Sequence, residues 1–269
     1  MSGFLPMRRP SVSATVLTFN NESTLEMCLR SIHWVDEIIV VDSCSTDQSR
    51  EVASRHTKKI FQREWPGFIE QRNFAKKQAT GEWVLWIDAD EVVSPQLRIE
   101  MEQALSQAPA RVQGFLVPRC SFYLGRWIKH GAWYPDLSIR LFKSEGNWWG
   151  GQEPHAAVQI KGPVWRLKNP LLHYNYESFG HQIRTIDKYA QMSAVELMRR
   201  GHRFSLWKML AHPIGRFFKE YFLLQGFRDG MPGLIIVVST MFYVFAKYAK
   251  LWELERKTSG FENEGGPGN

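Results

Sequence analysis

The sequence predicts an α/β fold with a parallel, doubly wound sheet, followed by a basic helical extension. Three observations support this prediction. Short apolar runs alternate with stretches of helical spacing, polar and acidic residues follow the apolar runs, and basic residues collect in the last third. The chain has 269 residues, of which 44% are hydrophobic, and this is enough to bury the core of one domain with a substantial appendage.

The first part of the chain contains four predicted strands separated by helices. The strands lie at residues 12–18, 37–42, 59–61 and 83–88, and the helices are expected from Ser23 onward, up to Arg55, and from Gly67 to Ala79. Apolar residues at helical spacing and a capping residue such as Ser23 favour the helices. This β-α alternation is typical of a parallel sheet that carries helices on both faces.

Polar and acidic side chains follow three of these strands. They are Thr18, Asn20 and Glu22 after the first strand, Asp42 at the end of the second, and Asp88 and Asp90 at the end of the fourth. Because ligands of open α/β sheets bind along the carboxyl edge, we expect these side chains to share one site. Two carboxylates at i and i+2 can share a hard divalent cation that also contacts substrate phosphates. The sequence therefore predicts a metal clamp at Asp88 and Asp90 for a phosphorylated ligand.

Two other interpretations of these acids are open. A D-x-D sequence after apolar residues can be an ordinary solvated strand end. The segment Asp88-x-Asp90-x-Val92 also fits the aspartyl-nucleophile strand of haloacid-dehalogenase-type phosphatases, in which the first Asp is phosphorylated. Those enzymes also need a downstream Lys and a second acidic motif, D-D or G-D-x-x-x-D, and the sequence offers no match to this combination.

The segment from Cys120 to Tyr176 is rich in aromatic residues interleaved with Gly, Pro and His. Aromatic faces beside polar groups suit stacking against sugar rings. An ordinary core with irregular loops would give the same composition, so both interpretations stay open.

Four motifs in this order resemble the nucleotide-binding half of inverting family 2 glycosyltransferases, which have the GT-A fold. They are VLTFNNE, VVDSCSTD, QRNFA and IDADE, and the resemblance covers about residues 11–176. A second block resembles the subgroup that builds lipopolysaccharide core and related bacterial surface glycans. This block comprises residues 134–142, Trp149-Gly150 and His155.

The resemblance implies a Rossmann-like, mostly parallel sheet and a set of site residues. The expected donor is a nucleotide sugar, with a UDP-sugar favoured. It would be held by Thr18, Asn20, Glu22, Asp42, Arg72 and Asp88. Asp42 would face the base, and Arg72 would lie near the base and pyrophosphate. Asp88 and Asp90 would hold the ribose and a divalent Mn²⁺ or Mg²⁺ ion, with His155 as a further metal ligand. A lone His such as His155 can also be purely structural.

An inverting transfer also needs a general base that takes the proton from the acceptor hydroxyl. Asp136 is the candidate, because it matches the family's acidic position downstream of the metal motif and precedes a predicted strand. Alternatively, Asp136 is a cap or the ion-pair partner of Arg140. Glu153 is the second candidate base, although this chain has Glu153-Pro154-His155 where many subgroup members have His-Glu.

The last third of the chain is basic and apolar. Residues 184–257 contain 13 Lys and Arg against 6 Asp and Glu, within a net charge of +7 for the whole chain. Residues 206–227 combine aromatic, aliphatic and basic residues, which is typical of a helix that lies in a membrane interface. Residues 230–246 then give 17 residues without a charge. A spanning helix needs about 17 to 25 apolar residues, so an interfacial helical hairpin is favoured, with a spanning helix and an ordinary core helix as alternatives.

The resemblance implies a hexosyltransferase-type enzyme that uses a lipopolysaccharide core or lipid-linked acceptor. The expected division is a catalytic domain at 1–176, a membrane-associating extension at 177–257 and a flexible tail at 258–269. The expected location is the cytoplasm, peripherally at the inner face of the cytoplasmic membrane, since three scattered cysteines indicate no disulfide framework and no secretory signal is visible. Nucleic acid is not an expected partner, because the basic helices are too apolar. The competing interpretation is a non-catalytic, membrane-docked carbohydrate-binding or scaffold protein.

Overall fold

The computed structural model describes residues 9–152, 155–176 and 178–258 and divides into two compact units. The first unit runs to Ser121 and resumes from Asp136 to Tyr174. The second contains Phe122–Pro135 and the chain from Asn175 onward. The domain limits at residues 176 and 257 stay predictions.

Strands and helices alternate in the first unit. The strands of the whole chain are β1 (Val12–Thr18), β2 (Glu37–Asp42), β3 (Ile60–Gln62), β4 (Trp83–Asp88), β5 (Glu91–Val93), β6 (Gly114–Tyr123), β7 (Arg126–Trp127), β8 (Asp136–Lys143), β9 (Trp148–Gln152), β10 (His155–Gln159), β11 (Val164–Arg166) and β12 (Leu171–His173). The helices are α1 (Glu22–Ser31), α2 (Ser49–Ser54), α3 (Phe68–Gln78), α4 (Pro95–Gln107), α5 (Phe179–Arg199), α6 (Leu206–Phe218) and α7 (Gly230–Thr258).

The main sheet has the strand order β3-β2-β1-β4-β8-β6-β12-β5. Strands β1 to β4 pair in parallel, and β8 lies antiparallel between β4 and β6. The predicted mostly parallel α/β fold is confirmed. Both faces of β1 are buried, since Ser13 and Thr15 on one face and Val12, Ala14 and Val16 on the other are all buried. This is how a central parallel strand covered on both sides is built.

The predicted beginning of the first helix is wrong by two residues. Asn21 and not Ser23 occupies the N-cap position, and α1 begins at Glu22. The Asn21 side chain instead points back toward β1, where its Oδ1 accepts the Phe19 N–H at 3.0 Å and the Thr18 hydroxyl at 3.3 Å. A side chain that hydrogen-bonds its own loop is a common alternative to helix capping.

In the second unit, the segment at 122–135 is fixed to the C-terminal helices. The buried carboxylate of Asp229 accepts the backbone N–H groups of Lys129 at 3.0 Å and His130 at 2.8 Å. Tyr123 donates its hydroxyl to Gln182 of α5 and packs in one cluster with Ile128 and Ile236. The last two residues of β6 pair with β7 in the same unit.

The C-terminal helices differ from the prediction in one way. The expected helical segment at 206–227 is broken, because α6 ends at Phe218 and is followed by a π-helical turn (Lys219–Leu223) and a 3₁₀ turn (Gly226–Asp229). The helix after it runs from Gly230 to Thr258 and so extends past the uncharged residues 230–246. Within the described residues, one continuous helical stretch, from Gly226 to Thr258, is long and apolar enough to cross a membrane, judged by length and composition alone. A third of its most apolar window is buried, so the three interpretations of this helix remain open.

Candidate active site

The ends of three parallel strands place the predicted acids at one edge of the sheet. In the ladder between β1 and β2, Thr18 lies opposite Asp42, and in the ladder between β1 and β4, Leu17 lies opposite Asp88. Neighbouring strands therefore end at the same level. This is the carboxyl edge, where open α/β sheets bind ligands.

The loops that follow β1 and β2 are hydrogen-bonded to each other. Asn20, which has the left-handed φ of 53° that Asn tolerates, donates its backbone N–H to Ser45 Oγ at 2.9 Å. Its side-chain Oδ1 accepts the N–H of Thr46 at 2.8 Å. Glu22 Oε2 likewise accepts the N–H of Gln48 at 2.9 Å. Two of the predicted donor-site side chains thus also hold the second loop in place.

Asp42 is fully buried at the start of the second loop. Its carboxylate accepts the Ser45 N–H at 3.1 Å and also the Ser45 hydroxyl. Thr18 is buried beside it, opposite Asp42 in the ladder. The contact of these two residues with a nucleoside stays a prediction.

Asp88 lies between two guanidinium groups. Arg72 Nη2 is 3.5 Å from Asp88 Oδ1, and Arg140 Nη1 is 3.7 Å from Asp88 Oδ2. Burial acts to raise the pKa of Asp88, but the positive charges of Arg72 and Arg140 outweigh it and leave the pKa below its ordinary value. Asp88 is therefore ionised at neutral pH.

The guanidinium of Arg72 is packed between aromatic rings. It lies 4.3 Å from the ring centre of Trp86 and 4.5 Å from that of Trp149, distances at which the ring faces attract a cation. Burial lowers the pKa of Arg72. Among the described residues, buried Arg72 Nε and Arg140 Nη1 have no hydrogen-bond acceptor. Buried donors of this kind normally have a partner, and Arg140 Nη1 instead lies at an ion-pair distance of 3.7 Å from Asp88 Oδ2.

Glu91, the last residue of the IDADE motif, forms a buried ion pair with Arg140. Arg140 Nη2 lies 2.6 Å from Glu91 Oε1, and both side chains are almost fully buried. The second oxygen of Glu91 accepts the backbone N–H of Asp88 at 2.9 Å. Burial raises the pKa of Glu91. Sequence reasoning assigned no role to Glu91, although it lies in the IDADE motif, and it considered Arg140 only as a partner of Asp136.

Asp136 pairs with Arg119 and not with Arg140, so the predicted alternative of an Arg140 ion pair is wrong. Asp136 begins β8 and lies opposite Arg119 of β6, whose Nη2 donates to the Asp136 carboxylate. Arg119 Nη1 also lies 3.4 Å from Glu91 Oε1. Arg119 therefore links Asp136 to the acidic motif, while the Asp136 side chain remains 43% exposed and reachable by a substrate.

Asp90 has a partner that sequence reasoning missed. His173 Nε2, at the end of β12, lies 3.2 Å from Asp90 Oδ2, and the Tyr174 N–H donates to the Asp90 carbonyl at 2.9 Å. The other ring nitrogen of His173 lies 3.4 Å from Ser121 Oγ. The pairing of β12 with β5, which sets His173 opposite Glu91, brings these residues together. No local sequence signal reveals a contact across 83 residues.

The two acids of the motif have the chemistry that a divalent cation requires. Asp88 and Asp90 supply the carboxylate oxygens that Mg²⁺ and Mn²⁺ accept. Across residues 9–152, 155–176 and 178–258, no cluster of three or more His, Cys, Asp or Glu side chains is arranged as a metal site. The side chain of His155 and the whole of Glu153 lie outside what the structure describes. The described residues therefore fit a site in which the protein supplies two carboxylates and the substrate supplies further oxygens.

A cavity of about 560 Å³ lies elsewhere in the first unit. It is at the amino ends of β1 and β2 and is lined by Ser13, His33, Glu37 and His56, among others. None of the predicted site residues lines it. The predicted site residues at the carboxyl edge and this cavity are thus separate features.

The mostly parallel sheet with acids at its carboxyl edge is the GT-A arrangement, and comparison with solved structures agrees. The mannosyltransferase PcManGT from Pyrobaculum calidifontis, solved with GDP-mannose and Mn²⁺, superposes with a TM-score of 0.55 at 17% identity, covering 92% of this chain and 89% of the other. Residues 13–167 match Glycosyl transferase family 2, and the chain belongs to that family. It is a glycosyltransferase, and neither the phosphatase nor the non-catalytic interpretation is retained.

Proteins that are similar over nearly the whole chain are also glycosyltransferases by name. An uncharacterised glycosyltransferase of Rickettsia typhi is 28% identical over 258 residues, which cover 92% of this chain and 88% of that protein. The lipopolysaccharide core biosynthesis glycosyltransferase LpsC of Rhizobium meliloti is 26% identical over 249 residues, covering 90% and 92% respectively. The resemblance to the lipopolysaccharide core subgroup is confirmed.

Proposed function

We propose that the protein is an inverting glycosyltransferase that moves a sugar from a nucleoside diphosphate donor, with a UDP-sugar as the proposed donor, to a bacterial surface-glycan acceptor. The acceptor is lipopolysaccharide core or a lipid-linked glycan. One observation carries the proposal: the Asp88 carboxylate lies between the guanidinium groups of Arg72 and Arg140, close in sequence to Asp90, at the carboxyl edge of the sheet. The similarity to LpsC supports the acceptor class.

The donor's two ends meet different groups in this scheme. The nucleoside contacts Thr18, Asn20, Glu22 and Asp42 on the paired loops, and the diphosphate lies near Arg72 and Asp88. The positive charge of Arg72, which lies 3.5 Å from Asp88, would attract the anionic diphosphate. Fixed positive groups that face developing negative charge are usually a large part of catalysis.

Asp88 and Asp90 would hold the divalent metal, Mn²⁺ or Mg²⁺, with His155 as a further proposed ligand. A bound ion would help to neutralise the nucleoside diphosphate as it leaves. His173 Nε2 contacts the Asp90 carboxylate at 3.2 Å and so restricts its orientation. A ligating carboxylate that is itself hydrogen-bonded is the usual arrangement of metal sites.

Asp136 acts as the general base. The acceptor hydroxyl oxygen attacks the anomeric carbon, the bond from that carbon to the donor diphosphate breaks, and Asp136 takes the hydroxyl proton. The attack comes from the face opposite the leaving group, so the anomeric configuration inverts. Arg119, shared between Asp136 and Glu91, sets the position of the base relative to the acidic motif.

The enzyme would act in the cytoplasm, at the inner face of the cytoplasmic membrane. The long apolar helix in 226–258 and the basic surplus of the last third support peripheral association. A lipid-borne acceptor would be met at that surface.

The first test is a screen of UDP- and GDP-sugars for thermal stabilisation of the protein with and without Mn²⁺. A ligand that binds only the folded state raises the melting temperature by mass action. We expect Asp90→Ala to remove the Mn²⁺-dependent part of this stabilisation, with donor binding about 100-fold weaker or more, because the ion contributes several kcal/mol. Glu145→Gln, an exposed carboxylate after β8, is the control and should behave as wild type. Full Mn²⁺-dependent stabilisation of Asp90→Ala would refute the metal assignment.

A second variant tests the contact that the sequence did not reveal. His173→Gln is expected to raise the Mn²⁺ concentration for half-maximal donor stabilisation by about 10-fold to 100-fold, because loss of such a supporting contact disorders a metal ligand. The ligand-free melting temperature reports any loss of folding. Ser121→Ala removes the far partner of His173 and should have a smaller effect. An unchanged Mn²⁺ requirement in His173→Gln would show that Asp90 needs no such support.

A further inference from the structure

One surface of the second unit exposes a continuous set of large apolar side chains. We define the α6 surface by the exposed residues Leu206, Trp207, Leu210, Ile214, Phe218 and Phe222. The Trp207 residue is 77% exposed. From Trp207 on, the spacing of three or four residues places these side chains along one face of a helix. A row of this kind on a folded protein marks a docking surface.

Aromatic contacts order the second half of this surface. The rings of Phe218 and Phe222 are stacked at 5.8 Å, and those of Phe217 and Tyr221 at 5.3 Å. The stacking crosses from α6 into the π-helical turn, so the apolar row continues where the regular helix ends. Rigid aromatic side chains lose little conformational freedom when they dock.

Basic residues border the apolar row. Lys208 and Lys219 follow Trp207 and Phe218 directly in sequence, so each lies about 100° further round the helix axis. Both are exposed, as are Arg203, Arg216 and Arg228. Long basic side chains at the border of an apolar face can reach polar headgroups while their stems lie on the apolar surface.

The π-helical turn removes the segment's negative charge from the surface. Glu220 is the single acidic residue between Arg199 and Arg228. It is only 1% exposed and pairs with Arg216 at 2.7 Å. Burial also raises the pKa of Glu220. The π turn thus buries the carboxylate and exposes Phe222 and Leu223, which leaves an outer surface that carries only positive charge.

We infer that the α6 surface is a docking site for an anionic phospholipid bilayer, with α6 lying in the interface. The chemistry favours lipid over a protein partner, because a helix with aromatic and aliphatic residues on one face and only cations at its border is complementary to headgroups and acyl chains. The inference deepens the proposed function and rests on it only for the idea that the acceptor is lipid-borne. It assigns membrane contact to α6, so that α7 need not span the bilayer.

The test uses the full chain and co-sedimentation with two kinds of vesicle, phosphatidylcholine alone and phosphatidylcholine with phosphatidylglycerol. We expect binding to the anionic vesicles, weakened by salt, and little binding to the neutral ones. The double variant Trp207→Ser/Phe218→Ser should lose most binding to both. Lys208→Gln/Lys219→Gln should lose only the anionic preference, by roughly fivefold for each residue. Trp165→Ser, which removes a 43% exposed Trp of β11 in the first unit, is the control and should bind as wild type.

Several outcomes would overturn the inference. Wild-type binding by both double variants would place the contact elsewhere. Resistance of the vesicle-bound protein to alkaline extraction would show that α7 spans. Self-association through Trp207 and Phe218 without vesicle binding would make the surface a protein interface. Thermal stabilisation by the donor, measured without vesicles, should be the same in every variant as in wild type. If wild type itself showed no such stabilisation, that result would count against the proposed function and not against the α6 surface.

Discussion

Asp136→Asn is expected to lower kcat by about 10²-fold to 10⁴-fold, the range that general bases contribute. The substitution keeps the size of the side chain and an oxygen that can accept from Arg119, so the structure around β8 is preserved. The amide cannot take the proton of the acceptor hydroxyl. The stabilisation that donor and Mn²⁺ confer should remain, because Asp136 holds neither. The measurement is single-turnover transfer beside donor-induced thermal stabilisation.

The same variant separates the base from a structural role. If Asp136 only caps β8 or holds Arg119, Asp136→Asn should leave kcat within a few fold of wild type. Glu145→Gln, in the turn that ends the same strand, controls for loss of a carboxylate nearby. Normal turnover by Asp136→Asn would remove Asp136 from the chemistry.

Arg140→Met is expected to lower the free energy of unfolding by about 3–5 kcal/mol, because it leaves a buried carboxylate without its main partner. Arg140 is 2% exposed, lies 3.7 Å above the ring of Trp86 and contacts Glu91 at 2.6 Å. After its removal, the guanidinium of Arg119 lies further from Glu91, at 3.4 Å. Urea-induced unfolding measures the loss.

Two further variants give this prediction its controls. Arg55→Met breaks an exposed pair with Glu51, in which Arg55 is 56% exposed, and should cost less than about 1 kcal/mol. Glu91→Gln/Arg140→Met removes both charges and should recover much of the stability lost in the single variant, since an apolar or neutral replacement of a buried pair is often tolerated. A single variant as stable as Arg55→Met would mean that the buried pair contributes little.

The central strands and the edge where they end could be predicted from the sequence. The bounds of β1 and β2 match the predicted strands, and β4 ends at Asp88 as expected. These are signals of short range, because a buried parallel strand is a continuous apolar run and the following acid marks its end. The parallel order then follows from the alternation with helices.

The partners of the acids could not be predicted in the same way. Arg140 reaches Asp88 and Glu91 because β8 lies antiparallel beside β4, and Arg119 reaches Asp136 because β6 lies beside β8. His173 meets Asp90 because β12 pairs with β5. Each contact depends on strand pairing between distant segments, which spacing along the chain does not encode. Arg140 lies four residues after Asp136 on the same strand, but the register of β6 and β8 places Arg119 opposite Asp136.

The C-terminal third shows a second limit. Composition predicted its helices but not the break after Phe218, because the π-helical turn there contains the buried Glu220 and no breaker residue. In α7, charged residues after Ala246 continue the helix to Thr258. A charge ends an apolar run without ending a helix.

The cross-linked loops after β1 and β2 have a consequence for how tightly and how selectively a donor is held. Hydrogen bonds from Asn20, Glu22 and their partners already fix both segments before any nucleotide arrives. The two loops therefore have little conformational freedom to lose when a nucleoside binds, and this reduces the entropic cost of binding. If the proposed nucleoside site is correct, selectivity between uracil and guanine must then come from the preformed shape of the two loops and not from closure of the loops around the base.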